Sequence, residues 1–407
     1  MNNAAPLHPT ERIAHWQRRS LAVGLIALAV CILGGFFQPA QFFRAYLPAY
    51  LFYLGLALGS MAVLMIYHLT GGAWGFLIRR MLEAGMRTLP LAAVFFAPIA
   101  FGIRHLYPWA QPDLVAQSAK LQHESFFLNP PYFWMRAAAY FLLWLGMAFW
   151  LNFWSCREDR TGDARMSWKC RQLSALGAVI YGVTLHFAAV DWAMSLLPAF
   201  HSTIWGPLFA VGQMHSALCL ALIVLAGQVK RAPLAEVVSK SALNDLGSLL
   251  LALLILWAYM AWFQFMLIWI ANLPVDIIYY LPRTSATWQC LIGAIFLLHF
   301  AVPFFLLLMR PLKRSAGALA RIAGLILFMQ LVYLYYQVTP MFPAATLGSH
   351  WMDFLAPIAL GGIWLSHFLW QLGRCPLVAP RDQQQAAALY LRRLDDEQAA
   401  QAEAIGL

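Results

Sequence analysis

Charged side chains are scarce in this chain, at 11% of 407 residues, while hydrophobic residues make up 62% of it. A water-soluble fold of this length would need far more polar side chains to cover its surface. No glycine motif of the kind that cradles phosphate is present, and no basic patch is interleaved with aromatic side chains that would stack on bases. The composition therefore favours a membrane protein and gives no indication of a nucleic-acid partner.

Cysteine motifs that hold cofactors are also missing. The six cysteines form no C-x-x-C pair and no C-x-x-C-H sequence, so we expect neither covalent haem nor an iron–sulfur cluster on this chain. Cys156 and Cys170 share one predicted loop, but their spacing suits no metal, and we expect two ordinary thiols. The sequence thus predicts a chain without a haem, iron–sulfur or metal site of its own.

Long apolar runs are the main feature of the sequence. A hydrocarbon core about 30 Å thick takes roughly 20 apolar helical residues, and about ten runs approach that length. Their continuity favours helices over a barrel, whose lipid-facing strands would alternate. We therefore predict an all-α integral membrane protein with a tail at 1–20, a membrane domain at 21–372 and a tail at 373–407. The predicted spans are 21–37, 46–69, 89–106, 133–154, 173–197, 204–227, 246–271, 287–309, 317–338 and 351–372.

The basic residues predict the orientation of these spans. About 22 of the 27 Lys and Arg residues fall in the two tails, in every second loop or at adjoining helix ends. Those loops are 70–88, 155–171, 228–245 and 310–316. Such residues concentrate on the cytoplasmic side of membrane proteins, so both termini are expected there. The first run has no small-residue cleavage site and is expected to remain as a span.

One carboxylate stands inside a predicted span. An ionised Asp near the bilayer centre costs about 3 kcal/mol on insertion scales, so Asp191 should face a partner or a wet cavity. His186 precedes it by five residues, about 140° around the helix, so these two side chains do not form a simple ligand pair. A lone histidine in a span often serves only as an interhelical hydrogen-bond partner. Tryptophans near span ends are typical of an interfacial belt.

Three stretches of the chain resemble one family. They read DWAMSLLPAFHSTIWGPLFAVGQ (191–213), FQFMLIWIANLPVDIIYYLPR (263–283) and HFAVPFFLLLMRPLKR (299–314). Together they resemble the integral membrane subunits of alternative complex III, within the wider NrfD-like group of quinone-interacting membrane proteins. The resemblance extends over most of the chain, and the length resembles the shorter of the family's two membrane subunits.

This resemblance implies an architecture, a location and a set of partners. It implies two four-helix bundles flanked by an additional helix on each side, in a bacterial inner membrane. Expected partners are an NrfD-like paralogue, a periplasmic iron–sulfur subunit, haem c subunits and the lipid bilayer, and a terminal oxidase is compatible with the same assembly. The implied substrate is menaquinol or ubiquinol.

Candidate site residues follow from depth and chemistry. Quinol oxidation releases protons, which a partly buried Asp or His can accept. We expect Asp191 to act as acceptor, with His201 and Asp276 carrying protons outward. The quinone candidates are Arg104, His105, Asp191, Trp205 and Gln264. A transmembrane proton path would use His68, His186, His215, His299 and His367.

Two departures from the family leave other readings open. Leu197 stands where relatives tend to carry Asp, and Asp276 is a single acid where relatives often have two. Both changes fall at the outer face, so a structural membrane anchor without a quinone site is an alternative prediction. A haem b protein or a transporter that uses the mid-depth histidines is a third.

Overall fold

Ten helices in a computed structural model are long and apolar enough to cross a membrane. The structure describes residues 11–230, 234–342, 350–374 and 377, and those residues contain helices and turns without a strand. The ten helices are α1 (Glu11–Phe37), α2 (Pro39–Thr70), α3 (Trp74–Phe101), α4 (Pro130–Thr161), α5 (Ala164–Trp192), α6 (Trp205–Gln228), α7 (Lys240–Ala271), α8 (Ala286–Leu308), α9 (Ala316–Val338) and α10 (Met352–Leu372).

The predicted all-α class and the ten apolar spans are confirmed, and the predicted boundaries differ most at the starts of α1 and α3. α1 begins at Glu11, so half of the predicted tail at 1–20 is helical. α3 begins at Trp74 instead of residue 89, inside the predicted basic loop at 70–88. Most of the predicted tail at 373–407 lies outside the described residues.

Helix α2 is the centre of the fold. In its most apolar stretch 89% of residues are buried, against 22% in α8. It packs against α3, α5, α6 and α10. Contacts group α2–α5 into one four-helix set and α6–α9 into a second, and the α2–α6 contact joins the two. We call these the first and second bundles.

The two remaining helices lie together. α1 packs along α10, and both contact α2. The expectation of one additional helix on each side of the bundles is therefore wrong. Small residues explain the pairing: a Cβ on Gly24 would lie 2.6 Å from the backbone nitrogen of Ile363, and one on Gly362 would lie 2.5 Å from the Ser20 carbonyl oxygen. Glycine at both positions permits the backbones to approach closely, as is typical of membrane helix pairs.

The contact between the bundles also depends on a glycine. A Cβ built on Gly59 of α2 would lie 2.0 Å from the backbone oxygen of Gln213 in α6. Because that atom belongs to a helix backbone, a side chain at position 59 must push the two helices apart. Gly59 thus sets the distance between the bundles.

We expect Gly59→Ala to lower the free energy of unfolding by about 3 kcal/mol, at the upper end of typical overpacking costs. The measurement is the temperature at which the purified protein loses its monodisperse peak in detergent. Gly324→Ala in α9 is the matched control, because a Cβ there meets no atom within 4 Å. Equal melting of the two variants would contradict the close approach of α2 and α6.

A charged cluster explains why α3 begins early. Glu83 accepts hydrogen bonds from Arg79 at 3.0 Å, from Arg80 at 2.6 Å and from the Ser155 hydroxyl at 2.6 Å. Arg87 approaches the same carboxylate at 3.5 Å. Because Glu83 neutralises part of their charge, Arg79 and Arg80 are buried in helix α3, although basic residues at these positions predict a solvated loop.

The cluster extends onto the end of α4. Arg79 also pairs with Glu158 at 3.0 Å, and Arg80 pairs with Asp159. Glu158 in turn accepts a hydrogen bond from Ser167. We name this set the α3–α4 cluster, and we call the end of the molecule that contains it and the turn between α4 and α5 the basic end. The predicted basic loop 155–171 is therefore mostly helical. Ion pairing across helices fixes the start of α3 against the end of α4.

Candidate functional site

Asp191 lies at the end of α5 remote from the basic end and is fully buried. Arg136 of α4 binds it through two nitrogens, Nε to Oδ2 and Nη2 to Oδ1, each at 2.8 Å. The Tyr140 hydroxyl donates a third hydrogen bond to Oδ2 at 2.8 Å. We call these three residues the Asp191 site. The bidentate geometry is the strong form of carboxylate recognition by arginine.

Arg136 is itself held in place by the loop before α4. Its Nη1 donates to the Phe127 carbonyl at 2.9 Å, and the guanidinium carbon lies 4.0 Å from the centre of the Phe127 ring. The Arg136 side chain is 16% exposed, against 1% for Asp191. Arg136 therefore forms the edge of the site that is nearest the surface.

The register between α4 and α5 positions the pair. Two turns before Asp191, the face of α5 that is turned toward α4 carries Thr184, whose hydroxyl accepts a hydrogen bond from the Trp144 indole at 2.9 Å. Just beyond α5, the Ser195 hydroxyl donates to the Asp191 carbonyl at 2.6 Å. Thr184 and Asp191 both face α4, in agreement with their spacing, whereas Ser195 lies in the turn Met194–Leu196 past the end of α5.

Aromatic rings enclose the site on its inner side. The Trp192 ring packs against Phe96, with centroids 4.9 Å apart, and against Phe141 and Trp144, each at 5.8 Å. The Tyr107 hydroxyl donates to the Trp192 carbonyl at 3.0 Å. Burial, and then the nearby Asp191 carboxylate, raise the pKa of Tyr107 well above its ordinary value. Tyr107 therefore remains a hydrogen-bond donor at physiological pH.

Three buried donors around this aromatic cluster have no partner among the described residues. They are the Tyr50 hydroxyl and the indole nitrogens of Trp109 and Trp192. Tyr50 and Trp192 are neighbours, with ring centroids 6.4 Å apart, and Trp109 stacks on Tyr107 at 5.0 Å. Unpaired buried donors are costly unless something accepts from them. The oxygens of a quinone headgroup are acceptors of this kind.

Three predicted residues lie apart from the Asp191 site. Arg104 and His105 are exposed, and His105 stacks on Phe43 with centroids 5.3 Å apart. The His201 side chain is 63% exposed and approaches Glu124 at 4.0 Å. None of these side chains has a contact with Asp191, Arg136 or Tyr140 in the structure.

Trp205, Gln264 and Asp276 belong to the second bundle instead. Trp205 is fully buried and packs on Phe200 and Tyr279 at 5.6 Å and 5.4 Å. Gln264 is buried, and its carbonyl oxygen has no partner among the described residues. Asp276 is half-buried in the short helix Pro274–Ile277. The structure thus separates these three candidates from Asp191 rather than joining them.

Arg283 organises this end of the second bundle. Its guanidinium donates to the carbonyls of Tyr279, Tyr336 and Gln337, the last at 2.6 Å, and lies 3.6 Å from the centre of the Tyr279 ring. The buried Arg283 side chain thus connects two segments of the chain, the turn at Tyr279 and the end of α9 at Tyr336 and Gln337. Burial raises the pKa of the Tyr279 hydroxyl.

We expect Arg283→Lys to lower the free energy of unfolding by about 2–3 kcal/mol, because an ammonium cannot reproduce the guanidinium fork and its ring contact. Arg310→Lys, at an exposed position, is the matched control. The measurement is heat-induced loss of the monodisperse peak in detergent. Equal stability of both variants would show that Arg283 does not connect the two segments.

The predicted proton-path histidines fall into separate places. His68 contacts Ser174 at 3.1 Å between α2 and α5. His186 packs against Gly206 of α6, where a Cβ would lie 2.4 Å from His186 Nδ1, so it faces a different helix from Asp191, as the spacing predicts. His367 of α10 hydrogen-bonds the Arg87 backbone and lies 3.2 Å from the Gln371 amide. These three are not in contact with one another.

His215 and His299 are the histidines that do meet. Their rings are stacked, with centroids 5.6 Å apart and planes 14° from parallel, and both are fully buried. None of their four ring nitrogens has a partner among the described residues. His299 lies in a π-helical stretch, Phe296–Ala301, and its ring is 4.0 Å from that of Trp257. Such π-helical turns are frequent at functional sites.

The geometry of the stacked histidines gives little support to the haem b alternative. Two axial ligands of one haem point their nitrogens at a common centre, whereas these rings lie face to face. Within the ranges that the structure describes, no group of three or more metal-ligating side chains occurs.

A small cavity with several polar side chains in a largely apolar wall lies between α2, α6 and α9. Its wall includes Gln213, Gln330, Gln337 and Ser216, and it offers about 10 Å³ to the centre of a water molecule. That is close to the minimum for one bound water. Gln213 accepts a hydrogen bond from Tyr181 at 3.1 Å, while the Gln330 oxygen and Gln337 nitrogen are unpaired in the described part of the chain. Asp191 does not line this cavity.

Comparison with protein-family models found no match, and comparison with curated proteins found none either. The function is therefore inferred from the geometry of the Asp191 site and from the three stretches of sequence that resemble the NrfD-like group.

Sequence reasoning missed Arg136 and Tyr140, the two residues that bind Asp191. One signal was available, because Arg136 is one of about five basic residues on the sparsely basic side of the predicted topology. A cation near the start of an apolar run on that side indicates a buried partner.

Proposed function

We propose that the chain is a membrane subunit of a respiratory quinol:cytochrome c oxidoreductase of the alternative complex III type. Its length and short N-terminal tail resemble ActF, the shorter of the two NrfD-like subunits. The proposed location is a bacterial inner membrane with both termini cytoplasmic. The proposed partners are an NrfD-like paralogue, a periplasmic iron–sulfur subunit and haem c subunits.

The observation that carries this proposal is the buried Asp191 site. A carboxylate inside a membrane span is expensive, and its position beside unpaired aromatic donors combines a proton acceptor with groups that hydrogen-bond a headgroup. Tyr50, Trp109 and Trp192 supply those donors. The positive-inside distribution supports placing this end of the molecule on the periplasmic side, where the resemblance implies quinol oxidation.

In this proposal the chain's own residues bind the substrate and accept protons. Tyr50 and the two indoles donate hydrogen bonds to quinol oxygens, and Asp191 accepts a proton released on oxidation. Arg136 holds the carboxylate in one orientation and is the least buried member of the site. Electrons pass to the extrinsic partners, because this chain is not expected to hold a redox centre.

A structural anchor is the second candidate function, and one observation favours it. Both oxygens of Asp191 are already bound by Arg136, and Oδ2 is bound by Tyr140 as well. A carboxylate whose oxygens are all bound in this way also suits a purely structural role, in which it joins α4 to α5. The absence of a carboxylate at Leu197 agrees with that reading.

The test of the proposed function is the activity of the complex that co-purifies with a tag on this chain. We expect quinol-dependent reduction of cytochrome c, together with co-purified haem c and iron–sulfur subunits identified by mass spectrometry. An intact, monodisperse preparation without those subunits and without quinol oxidation would contradict the proposal.

A further inference from the structure

A second cleft lies at the basic end and has no role in the proposed chemistry. It runs along the last third of α4 and has a volume of about 390 Å³. This falls within the range of about 300–1,000 Å³ that is typical of small-molecule sites. Its wall includes Phe149, Phe153, Cys156, Arg157 and Arg160. We name it the α4 cleft.

The cleft is apolar at one end and cationic at the other. Phe149, Phe153, Arg157 and Arg160 follow one another at helical spacing and so form one stripe on α4. Phe149 and Phe153 are 60% and 42% exposed. Arg157 and Arg160 are exposed as well, and they lie in the last two turns of the helix.

These two arginines differ from the other charged residues beside them. Glu158 and Asp159 point into the α3–α4 cluster, where Arg79 and Arg80 neutralise them. Arg157 and Arg160 point the other way, and neither guanidinium has an ion pair or hydrogen bond with a residue that the structure describes. The inward pairing of the acids therefore leaves two uncompensated cations on the cleft side.

The apolar and the cationic end of the α4 cleft lie at the depths in the membrane that the acyl chains and the headgroup of a lipid occupy. α4 has 32 residues and is therefore about 48 Å long, which exceeds a hydrocarbon core of about 30 Å. Arg157 and Arg160 thus reach the headgroup level, while Phe149 lies about 12 Å deeper along the axis from Arg157, among the acyl chains. A ligand of this cleft must be anionic at one end and apolar at the other, along the membrane normal.

We propose that the α4 cleft binds an anionic phospholipid, with an acyl chain against Phe149 and Phe153 and the phosphate on Arg157 and Arg160. Arginine forks match phosphate oxygens in geometry and charge. Basic pockets at the cytoplasmic ends of membrane helices are typical sites for acidic lipid headgroups. The proposal does not depend on the quinol function.

The test compares lipid retention by the purified protein in detergent after incubation with phosphatidylglycerol or phosphatidylcholine. Native mass spectrometry counts the lipids that remain bound. We expect phosphatidylglycerol to be retained at least fivefold more than phosphatidylcholine, and R157Q/R160Q to reduce its retention about tenfold.

The matched control is R165Q/R171Q, which removes the same charge from exposed positions of the neighbouring segment that do not line the cleft. It is expected to retain phosphatidylglycerol as the wild type does. Equal retention of the two lipids, equal loss in both double variants, or no loss in R157Q/R160Q would each overturn the proposal. Loss of a co-purifying subunit in R157Q/R160Q with unchanged lipid would assign the cleft to a protein contact instead.

A charge-conserving variant covers the case in which R157Q/R160Q does not fold. R157K/R160K keeps both positive charges but lacks the guanidinium fork, and we expect it to retain about threefold less phosphatidylglycerol than the wild type. Retention equal to the wild type would overturn recognition of phosphate by the two arginines.

Discussion

Glu83→Gln is expected to separate the start of α3 from the end of α4 and to lower the free energy of unfolding by about 3–5 kcal/mol. Glu83 is almost completely buried and is bound by Arg79, Arg80, Arg87 and Ser155. A neutral amide would leave three arginines in the α3–α4 cluster with two carboxylates. An uncompensated charge in an apolar interior is far costlier than the loss of a surface ion pair.

The measurement for Glu83→Gln is the yield of monodisperse protein in detergent and the temperature at which that peak is lost. Asp245→Asn is the matched control, because it removes one negative charge from an exposed position in α7, near the same end of the molecule. We expect the control to match the wild type within the error of the measurement. A Glu83→Gln protein as stable as the control would show that the cluster is solvated and that α3 does not depend on it.

Asp191→Asn is expected to destabilise the first bundle by a similar amount, about 3–5 kcal/mol, because it leaves the Arg136 guanidinium without a counter-charge. The Tyr140 hydroxyl keeps an acceptor in the amide oxygen, so the loss is mainly electrostatic. The expected result is poor assembly of the complex, measured by its subunit content after purification. Unchanged assembly would show that the first bundle does not depend on a buried ion pair between Arg136 and Asp191.

The double variant R136M/D191L removes both charges of the buried ion pair and so distinguishes the cost of an unpaired charge from the cost of altered packing. Replacing a buried ion pair by apolar side chains of similar size is often neutral or stabilising, and here the remaining cost is about 1–3 kcal/mol for the Tyr140 hydroxyl, which loses its acceptor. We therefore expect R136M/D191L to assemble better than Asp191→Asn. A double variant that assembles worse would show that the pair contributes more than mutual neutralisation.

The ten spans could be predicted from sequence because a bilayer requires about 20 apolar residues for each helix. The same reasoning failed at Arg79 and Arg80, where basic residues predicted a loop and the structure has a buried helix. Hydropathy treats each charge alone, whereas Glu83 and Glu158 neutralise these arginines across two helices. Such compensation depends on which helices are neighbours, and a single sequence does not reveal that.

In the candidate site, too, the sequence predicts what depends on one helix and does not predict what depends on its neighbours. Asp191 could be predicted because a carboxylate in an apolar run needs a partner, but Arg136 lies 55 residues away on another helix. The register between α4 and α5 is set by contacts such as Trp144 with Thr184, which no local pattern predicts. The sequence places His186, His215 and His299 at a similar depth, and in the structure only the rings of His215 and His299 are in contact with each other. Asp276, which the sequence joined to Asp191, lies in the second bundle, and the exposed His201 approaches Glu124 instead.

We propose that the Asp191 site takes part in quinol oxidation, and the decisive measurement is the quinol:cytochrome c reductase activity of the assembled R136M/D191L complex. Turnover is normalised to subunit content, and Asp245→Asn provides the control for a change of charge elsewhere. We expect turnover per assembled complex to fall at least tenfold. Turnover equal to the control in a fully assembled complex would show that the Asp191 site serves only as a structural anchor.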